Sequence, residues 1–405
     1  MENPLLGYFG TKHQSAPFTK IMPKHFIPAI EKDIQESLEA IDKITNQTSQ
    51  PSFDNTIDAL QNIGEFLERN SALLFNLNSA ETSEEIQKIT QQASPILTKF
   101  QNDVRLNQAL FERIKIVYEN RENENLTTEQ LALLEKEFKG FTRNGALLSK
   151  DKKDILREID TKKAQLSLRF GENVLADTNS FSLHVTEEKE LKGIPDQVRE
   201  MAADIAKSKN KTGWVFTLDY PSYVPFMTYL EDRSLRCKMS LAFGKRGFQE
   251  NDHNNSEIIL KLIELRKKRA ELLGYESHAS FVLEERMAGS EENVNNFLED
   301  LYQKALPAAK KEWKELEDFA KEKLNLDKIE KWDTAYVSEK LKQAQLDLNE
   351  QLLKPYFPLE KVKLGLFEIV GKLYGLSFKK NNDIEGYHEE VDIYEVFNSQ
   401  GEYHA

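Results

Sequence analysis

Histidine is the side chain best suited to bind a metal ion or to transfer a proton near neutral pH. A hydrolytic zinc site on a helix needs two histidines at positions i and i+4, a glutamate beside the first as general base, and a third ligand further on. The histidines are His13, His25, His184, His253, His278, His388 and His404. Since no two of them are four residues apart, this zinc motif is absent from the sequence.

The nearest approach to a metal-binding pattern is His388-Glu389-Glu390-Val391-Asp392. An aspartate can bind zinc, but this segment leads into a predicted strand and not along a helix, so we assign no metal ligand to it. His253 lies in the polar segment NDHNN and is predicted to be a loop residue that caps a helix.

Two other patterns could suggest chemistry, and neither holds. Gly365 to Lys372 resembles a phosphate-binding loop, but five residues separate the glycines instead of four and Leu373 stands where a magnesium-binding hydroxyl is needed. Its apolar spacing predicts a packed helix. The acidic pairs at 284–285 and 389–390 are adjacent in sequence, so we expect solvated side chains. We therefore predict no catalytic residue in this chain.

Composition favours long helices. The chain has 405 residues, and its 17 glycines and 12 prolines are fewer than usual. A net charge of −13 disfavours nucleic acid as a partner, and no apolar run approaches the length that spans a bilayer. The one cysteine, Cys237, cannot form an intramolecular disulfide and is predicted to be an inert thiol in a buried helix.

Apolar residues at helical spacing predict helices along most of the chain. After an irregular arm over residues 1–23, we expect helices from about residue 25, over 52–75, 82–100, 106–117, 127 onward, 151–175, and, as the longest, 290–324. Thr82 and Thr127 each begin a predicted capping box. The charged face of the longest helix is predicted to be solvated and to form i,i+4 ion pairs.

Short strands are predicted where apolar and polar residues alternate, at 181–186 and 214–219. A third begins at Val391, and the turn at 398–401 predicts a return strand, so that β structure extends over 391–405. A sheet of one or two strands would expose unpaired backbone, so we expect sequence beyond this chain to complete it.

Residues 332–378 predict a helix, a turn and a second helix. Asp333 is expected to cap the first helix, Pro355 and Pro358 to break the chain, and Gly375 to end the second helix. The second helix places its apolar side chains on one face, namely Val362, Leu366, Ile369, Val370 and Leu373.

These same residues carry a family resemblance. Five motifs occur in the order in which the thimet oligopeptidase family of zinc peptidases has them, namely WDxxY (332–336), EKL (339–341), PYFPLE (355–360), GLF (365–367) and LYGL (373–376). NPLL at 3–6 and FDNTI at 53–57 are similar to the opening of that family. LNxxLFxRI at 106–114 and FxRxGAxL at 141–148 resemble its peptidyl-dipeptidase (Dcp) branch in particular.

The resemblance implies a mostly helical, two-lobed molecule with a deep, narrow channel that admits short, unstructured peptides and has zinc at its floor. The peptidyl-dipeptidase branch removes dipeptides from free C-termini. In this family the helix that carries HExxH lies C-terminal to the matched segment, which places the zinc motif outside these 405 residues. The family also has a Tyr-His pair before the strand at 391–397, where it is not the metal site.

We therefore predict a predominantly all-α, truncated, two-lobed chain. Residues 1–220 would form the first lobe and channel wall, and 221–405 the start of an incomplete peptidase domain. The chain would be the N-terminal and central part of a cytoplasmic metallopeptidase (a peptidyl-dipeptidase or oligopeptidase), inactive alone. Zinc is implied for the complete enzyme, with none expected on this chain, and its substrate-binding residues are not identified.

The expected partners are short, unstructured peptides, with no nucleic acid and no membrane. Two alternatives remain open at this point. The chain could be a non-enzymatic truncated relative that binds a peptide or a partner. It could also be half of a split peptidase whose C-terminal half, carrying the zinc site, is a separate chain.

Overall fold

The computed structural model describes residues 3–347 and 350–405, so residues 1, 2, 348 and 349 of the predicted arm and of the 332–378 segment lie outside the described residues. The chain is predominantly α-helical, as predicted. The α-helices are α1 (Phe26–Thr45), α2 (Ala59–Gln61), α3 (Glu65–Ala80), α4 (Glu84–Arg105), α5 (Gln108–Glu119), α6 (Thr128–Arg143), α7 (Lys150–Ser180), α8 (Asp196–Ser208), α9 (Tyr220–Tyr229), α10 (Arg233–Gly244), α11 (Ser256–Leu272), α12 (His278–Leu283), α13 (Glu291–Leu324), α14 (Thr334–Leu346) and α15 (Leu359–Tyr374).

Short segments of tighter or wider helix and four strands complete the described elements. The 3-10 segments are Pro4–Leu6, Lys12–Gln14, Pro23–His25, Arg121–Asn123, Glu188–Leu191, Glu350–Leu352 and Lys354–Tyr356, and one π-helical turn is Phe53–Asp58. The strands are β1 (Leu183–Val185), β2 (Trp214–Phe216), β3 (Ser377–Asn381) and β4 (Ile393–Phe397). No helix among the described residues is long and apolar enough to cross a bilayer.

The chain divides into two compact units, and neither is continuous in sequence. Unit 1 comprises Met1–Leu168, Leu262–His278 and Gly365–Ala405, and unit 2 comprises Arg169–Lys261 and Ala279–Leu364. The division into domains at residue 220 stays a prediction.

Unit 1 is built around α1. This helix buries residues at helical spacing, so one face can pack against α3, α4 and α5. Phe26 and Ile30 contribute to one apolar cluster with α3 and α4, and Ile41 contributes to a second cluster with α5 and α6. Burial of large aromatic and branched side chains in these clusters holds the helices of unit 1 together.

Unit 2 has its main apolar cluster around the β1–β2 pair. The two strands run antiparallel, with Leu183 opposite Phe216. Phe216 stacks edge-on against Phe226 of α9, with the ring centroids 4.7 Å apart. The predicted strands at 181–186 and 214–219 are therefore confirmed, although each is shorter than predicted.

Of the two helix starts predicted from capping boxes, one is confirmed and one is wrong. The capping box at Thr127 is confirmed, since its hydroxyl accepts the Gln130 N–H and the Gln130 side chain accepts the Thr127 N–H. The predicted cap at Thr82 is wrong by one residue, because Ser83 accepts the N–H of Ile86. Sequence alone could not distinguish two adjacent hydroxyl residues as caps.

The predicted continuous helix over 52–75 is wrong. It begins as the π-helical turn, α2 ends at Gln61, and Gly64 has a left-handed backbone with φ of +89° before α3 begins. A right-handed helix cannot pass through a residue with this φ.

The longest helix is confirmed. α13 starts after Ser290, whose hydroxyl accepts the N–H of Asn293. Its exposed charged face forms the predicted i,i+4 pairs, including Lys304 with Asp300. Such exposed pairs add only a few tenths of a kcal/mol each.

The C-terminal sheet corrects the sequence analysis. β4 pairs antiparallel with β3 along its whole length, from Asn381 opposite Ile393 to Ser377 opposite Phe397. β3 was not predicted from the sequence, because its short, lysine-rich segment follows directly on a helix. β4 is therefore not left without a neighbour. The predicted turn is confirmed, and Tyr403 forms a single bridge with Phe397 on the other edge of β4.

The apolar face predicted for α15 is present, but it is not packed as predicted. Leu366, Ile369 and Leu373 are more than half exposed. Phe367, on another side of the helix, stacks on Phe378 of β3 with the ring centroids 4.4 Å apart. Apolar spacing predicts a helix face, but it does not specify what covers that face.

The N-terminal arm is fastened to this sheet within unit 1. The carboxylate of Glu395 on β4 accepts hydrogen bonds from Lys12 at 2.6 Å and from His13 at 2.8 Å. The His13 ring also stacks on Tyr403, with the centroids 3.7 Å apart. The hydrogen bonds from Lys12 and His13 lower the pKa of Glu395 from its ordinary 4.5 to about 2.

This depressed pKa predicts an acid-sensitive contribution to stability. Because Glu395 stays ionised when folded, its pairing stabilises the fold fully above pH 4.5, and this contribution is lost as the pH falls towards about 2. We expect Glu395→Gln to lower the calorimetric midpoint temperature at pH 7, and the difference from the original protein to shrink on acidification. Glu389→Gln, at an exposed site before β4, is the control. A difference that stays constant down to pH 2 contradicts the assignment.

Candidate functional site

The described residues do not provide a zinc site. Among them, no group of three or more His, Cys, Asp or Glu side chains is placed to hold a metal ion. The residues present therefore do not fit the zinc ion that the family resemblance implies, and no chemical step is assigned to a metal here.

The histidines occupy separate structural positions. His25 is buried just before the start of α1, and its Nδ1 accepts the N–H of Met22. Burial is the main cause that lowers the pKa of His25, and the positive charge of Lys24 lowers it further. His184 on β1 contacts the carbonyl of Thr212. His253 lies in the turn before α11, which confirms it as a loop residue, but Asn254 and not His253 accepts the N–H of Ser256 at the start of that helix. His278 is the first residue of α12. Burial is the main cause that lowers its pKa, and the positive charge of Arg266 lowers it further.

The other sequence patterns considered above lie in a turn, in helices and at exposed positions. Nδ1 of His388 accepts the N–H of Glu390 in the turn that leads to β4, as the sequence indicated. Cys237 lies in α10 as predicted, but it is partly exposed rather than fully buried. Residues 365–372 belong to α15, and the side chains of 284–285 are exposed.

The WDxxY motif has a structural role in unit 2. The Asp333 carboxylate is fully buried and pairs with Arg236 at 2.8 Å and with Arg233 at 2.7 Å. The carbonyl oxygen of Trp332 accepts a hydrogen bond from Arg236, and the guanidinium of Arg236 lies 4.2 Å from the centroid of the Tyr336 ring. The predicted cap at Asp333 is therefore wrong, because its side chain turns to these arginines and to the N–H of Glu330 instead of to α14.

The pKa of Asp333 reflects this network. Burial raises it, but hydrogen bonds from Arg233, the Glu330 N–H and Arg236 together outweigh burial and hold it below its ordinary value. The motif thus ties the start of α14 to α10 through a buried ion pair. The contacts of this motif therefore support the packing of α14 against α10 within unit 2.

A cavity in unit 1 lies between α3 and α4. Together with the polar cavity described in the next paragraph, it forms what we call the α4 groove. This apolar cavity has a volume of about 560 Å³, and Leu67 and Phe75 of α3 face Leu97 and Phe100 of α4 across it. A cavity of this size and lining accepts one or two apolar side chains.

The polar cavity of the α4 groove adjoins the apolar one, since the two share Thr98 and Gln101. It has a volume of about 250 Å³ and lies among α4, α7, α11 and the end of α6. Its charged lining residues are Arg105, Asp160, Lys163 and Arg269, and its other polar side chains include Asn102 and Asn144.

Hydrogen bonds hold the polar cavity in shape. Arg269 donates to Asp160 at 2.8 Å and to Asn144 at 2.9 Å, and Lys163 donates to the same oxygen of Asp160 at 3.2 Å. Burial lowers the pKa of Lys163, Asp160 opposes that effect, and the nearby Arg269 adds to it. Lys163 and Arg269 thus donate to one oxygen of the same carboxylate.

No local sequence pattern marks the residues that line the α4 groove. Its polar cavity draws residues from four segments that are far apart in the chain. No short motif links them, because only helix packing brings them together.

Family comparisons agree with the fold. The family described as "Neurolysin/Thimet oligopeptidase, N-terminal domain" matches residues 27–153, and "Peptidase family M3" matches residues 226–404. The chain belongs to this peptidase family, which confirms the resemblance to the thimet oligopeptidase family.

Individual relatives give a more particular picture. Oligopeptidase A of Escherichia coli is 32% identical over 406 residues, which cover 99% of this chain and 59% of that protein. Dipeptidyl carboxypeptidase of E. coli is 31% identical over 402 residues, covering 98% and 59%. The Dcp branch is thus among the relatives, alongside oligopeptidase A. The chain spans about 59% of the length of the curated relatives it matches.

Proposed function

We propose that this chain is the N-terminal and central region of a cytoplasmic zinc peptidase that cleaves short peptides. The observation that carries the proposal is its match, over 99% of its length, to 59% of a protein named oligopeptidase A. Zinc and the general base would come from sequence outside these 405 residues. The similarity to dipeptidyl carboxypeptidase supports release of C-terminal dipeptides as the mode of cleavage.

The contribution of this chain would be to bind and orient the peptide. The α4 groove offers an apolar cavity beside a polar one, so an extended peptide could place an apolar side chain in the first and a polar or charged group in the second. Holding a bound peptide in the orientation that the reaction needs can raise the rate of its hydrolysis substantially.

The proposal predicts that the purified 405-residue chain is inactive and free of stoichiometric zinc. We expect well under about 0.1 zinc per chain after incubation with zinc and desalting, because a structural or catalytic zinc needs three or four protein ligands. Elemental analysis measures zinc, and an internally quenched peptide measures hydrolysis. One tightly bound zinc per chain would overturn this placement of the metal site.

A second candidate is favoured by the exposed apolar face of α15 and by the paired β3–β4 sheet. A chain with an ordered C-terminal sheet and a face free for docking could bind a partner without catalysis, or could form half of a split peptidase. The intact mass in the source cell separates these cases. A mass above 46.8 kDa favours the first proposal, and 46.8 kDa favours the second. Zinc and activity that appear only on mixing with a second chain identify the split enzyme.

A further inference from the structure

We propose that residues 11–19 of the N-terminal arm form a releasable strap, which holds the C-terminal β3–β4 sheet in place on unit 1 and opens together with it. The helices α1 to α6 would stay folded when the strap opens. All of these segments belong to unit 1. This conformational device goes beyond the proposed peptidase function and does not depend on it.

The first part of the arm is anchored on the helices of unit 1. Leu5 is fully buried in the apolar cluster that α1, α3 and α4 share. Arg69 of α3 donates hydrogen bonds to the carbonyl oxygens of Leu5 at 3.0 Å and of Gly7 at 2.9 Å. The neighbouring Asn70, which is buried, also donates to the Leu5 carbonyl at 3.0 Å. Residues 3–9 are therefore part of the folded helical body and give the strap a fixed starting point.

The strap contacts the loop between β3 and β4, in addition to its pairing with Glu395 described above. The N–H of Thr19 donates to the Glu385 carboxylate at 2.9 Å, and the Thr19 hydroxyl donates to the two oxygens of that carboxylate at 3.0 and 2.9 Å. The ring of Phe18 meets that of Tyr387 edge-on, with the centroids 6.0 Å apart. The strap therefore holds both the connecting loop of the sheet and β4 itself.

The sheet lies outside the apolar clusters of unit 1. Within the described residues, those two clusters draw their members from Leu5 to Ala146. The sheet has a small aromatic cluster of its own, in which Phe367 stacks on Phe378 and meets the ring of Tyr394 edge-on at 4.9 Å. Burial in the main clusters thus does not hold the sheet, whereas polar and ring contacts of the strap do. Such contacts are individually weak in water, so they can open at a lower free energy than the helices.

The backbone within the strap is strained. His13 and Gln14 both have a φ of 55°, in the left-handed region that residues with a Cβ rarely adopt. Each of the two side chains is held by a contact, since the His13 ring stacks on Tyr403 and Oε1 of Gln14 accepts the N–H of Phe9 at 2.9 Å. Strain of this kind persists only where surrounding contacts impose it. Opening of the strap would relieve the strain, which favours release.

Opening would also change the surface of unit 1. It would uncover the carboxylate of Glu395, which is buried in the closed form, and the face of Tyr403 on which His13 stacks. Because the strap and the sheet hold each other, we expect them to open in one cooperative step, as contiguous parts of a protein often do. Backbone amides of both would then exchange with solvent deuterium at the same opening free energy.

The test is hydrogen–deuterium exchange of the whole 405-residue chain at pH 7, measured by mass spectrometry on peptides that cover the strap, the sheet and α1. In the original protein, we expect the hydrogen-bonded amides of the strap and of β3–β4 to share one opening free energy. The amides of α1 should exchange on the order of 100-fold more slowly, because they open only with the helical body.

The variant Phe18→Ala with Thr19→Val removes a ring and a hydroxyl of the strap and leaves every residue of the sheet unchanged. We expect it to speed exchange in both the strap and the sheet about 10-fold, as the loss of one ring contact and one hydrogen bond predicts. Tyr8→Ala is the matched control, because Tyr8 lies in the anchored part of the arm, where its ring contacts Phe66 of α3. It should change exchange in the sheet by less than about 2-fold.

The comparison among the strap, the sheet and α1 decides the matter. If the sheet exchanges no faster in the double variant, the arm does not hold it and the proposal is overturned. Equal acceleration in the sheet and in α1 overturns it as well, because the strap would then belong to the same cooperative unit as the helices. If the double variant does not fold, the original protein still decides, since a strap and a sheet with different opening free energies contradict a common release.

Discussion

Asp333→Ala is expected to lower the free energy of unfolding of unit 2 by about 3–5 kcal/mol. The reason is that Arg236 is 1% exposed, and removal of the carboxylate leaves its buried charge without a counter-ion. Urea unfolding followed by tryptophan fluorescence measures the loss. The three tryptophans, Trp214, Trp313 and Trp332, all lie in unit 2, so this signal reports on that unit.

Asp327→Asn is the control for this prediction. Asp327 lies shortly before α14 and is exposed, so its replacement should change the free energy of unfolding by less than about 0.5 kcal/mol. A double variant, Asp333→Ala with Arg236→Met, should regain part of the loss, because it removes the unpaired charge. A loss below 1 kcal/mol for Asp333→Ala would show that water reaches Arg236 and that the WDxxY motif is not a buried anchor.

Gly193→Ala is expected to destabilise unit 2 by about 2–4 kcal/mol. A Cβ at this position would lie 2.1 Å from the carbonyl oxygen of Tyr229, and the φ of Gly193 is +96°. The neighbouring backbone is held in place, since Lys192 accepts the N–H of Glu231 at 2.9 Å. Both the chain before α8 and the end of α9 would have to shift to admit a methyl group.

Gly171→Ala is the matched control, because it makes the same chemical change in the same unit. Gly171 lies within α7, and nothing lies within 4 Å of the position a Cβ would occupy. Alanine should stabilise this helix by up to about 1 kcal/mol. The same fluorescence measurement compares the two variants. Equal effects of the two substitutions would contradict the close backbone approach at Gly193.

These stability predictions and the α4 groove concern different parts of the molecule. Asp333 and Gly193 belong to unit 2, whereas the α4 groove belongs to unit 1. Loss of stability in unit 2 therefore need not alter the peptide binding that we propose for the α4 groove of unit 1. A variant that affects both would indicate that the two units fold cooperatively.

Much of the secondary structure was accessible from the sequence. Apolar spacing of three and four residues located α1, α7, α13 and α15, because one face of each helix must meet an apolar core or surface. Ordered motifs along the chain indicated the peptidase family. The absence of paired histidines at i and i+4 showed that these 405 residues lack the HExxH motif.

Other features followed only from long-range contacts. Asp333 stands at the position of a helix cap, yet it pairs with arginines about 100 residues away, because a buried carboxylate is satisfied better by two cations than by one N–H. β3 was missed because its lysines suit an exposed strand as well as a loop. The exposed face of α15 could not be anticipated, since apolar spacing predicts a face and does not supply the surface that covers it.

The sequence by itself determined the helical class, the family and the lack of a local zinc motif, because each of these depends on residues that are close together in the chain. The α4 groove exists only in the tertiary structure, because its lining residues range from Ile63 to Arg269 and share no sequence pattern. The physical reason is that burial and charge balance depend on which helices pack together, and local sequence does not encode those neighbours.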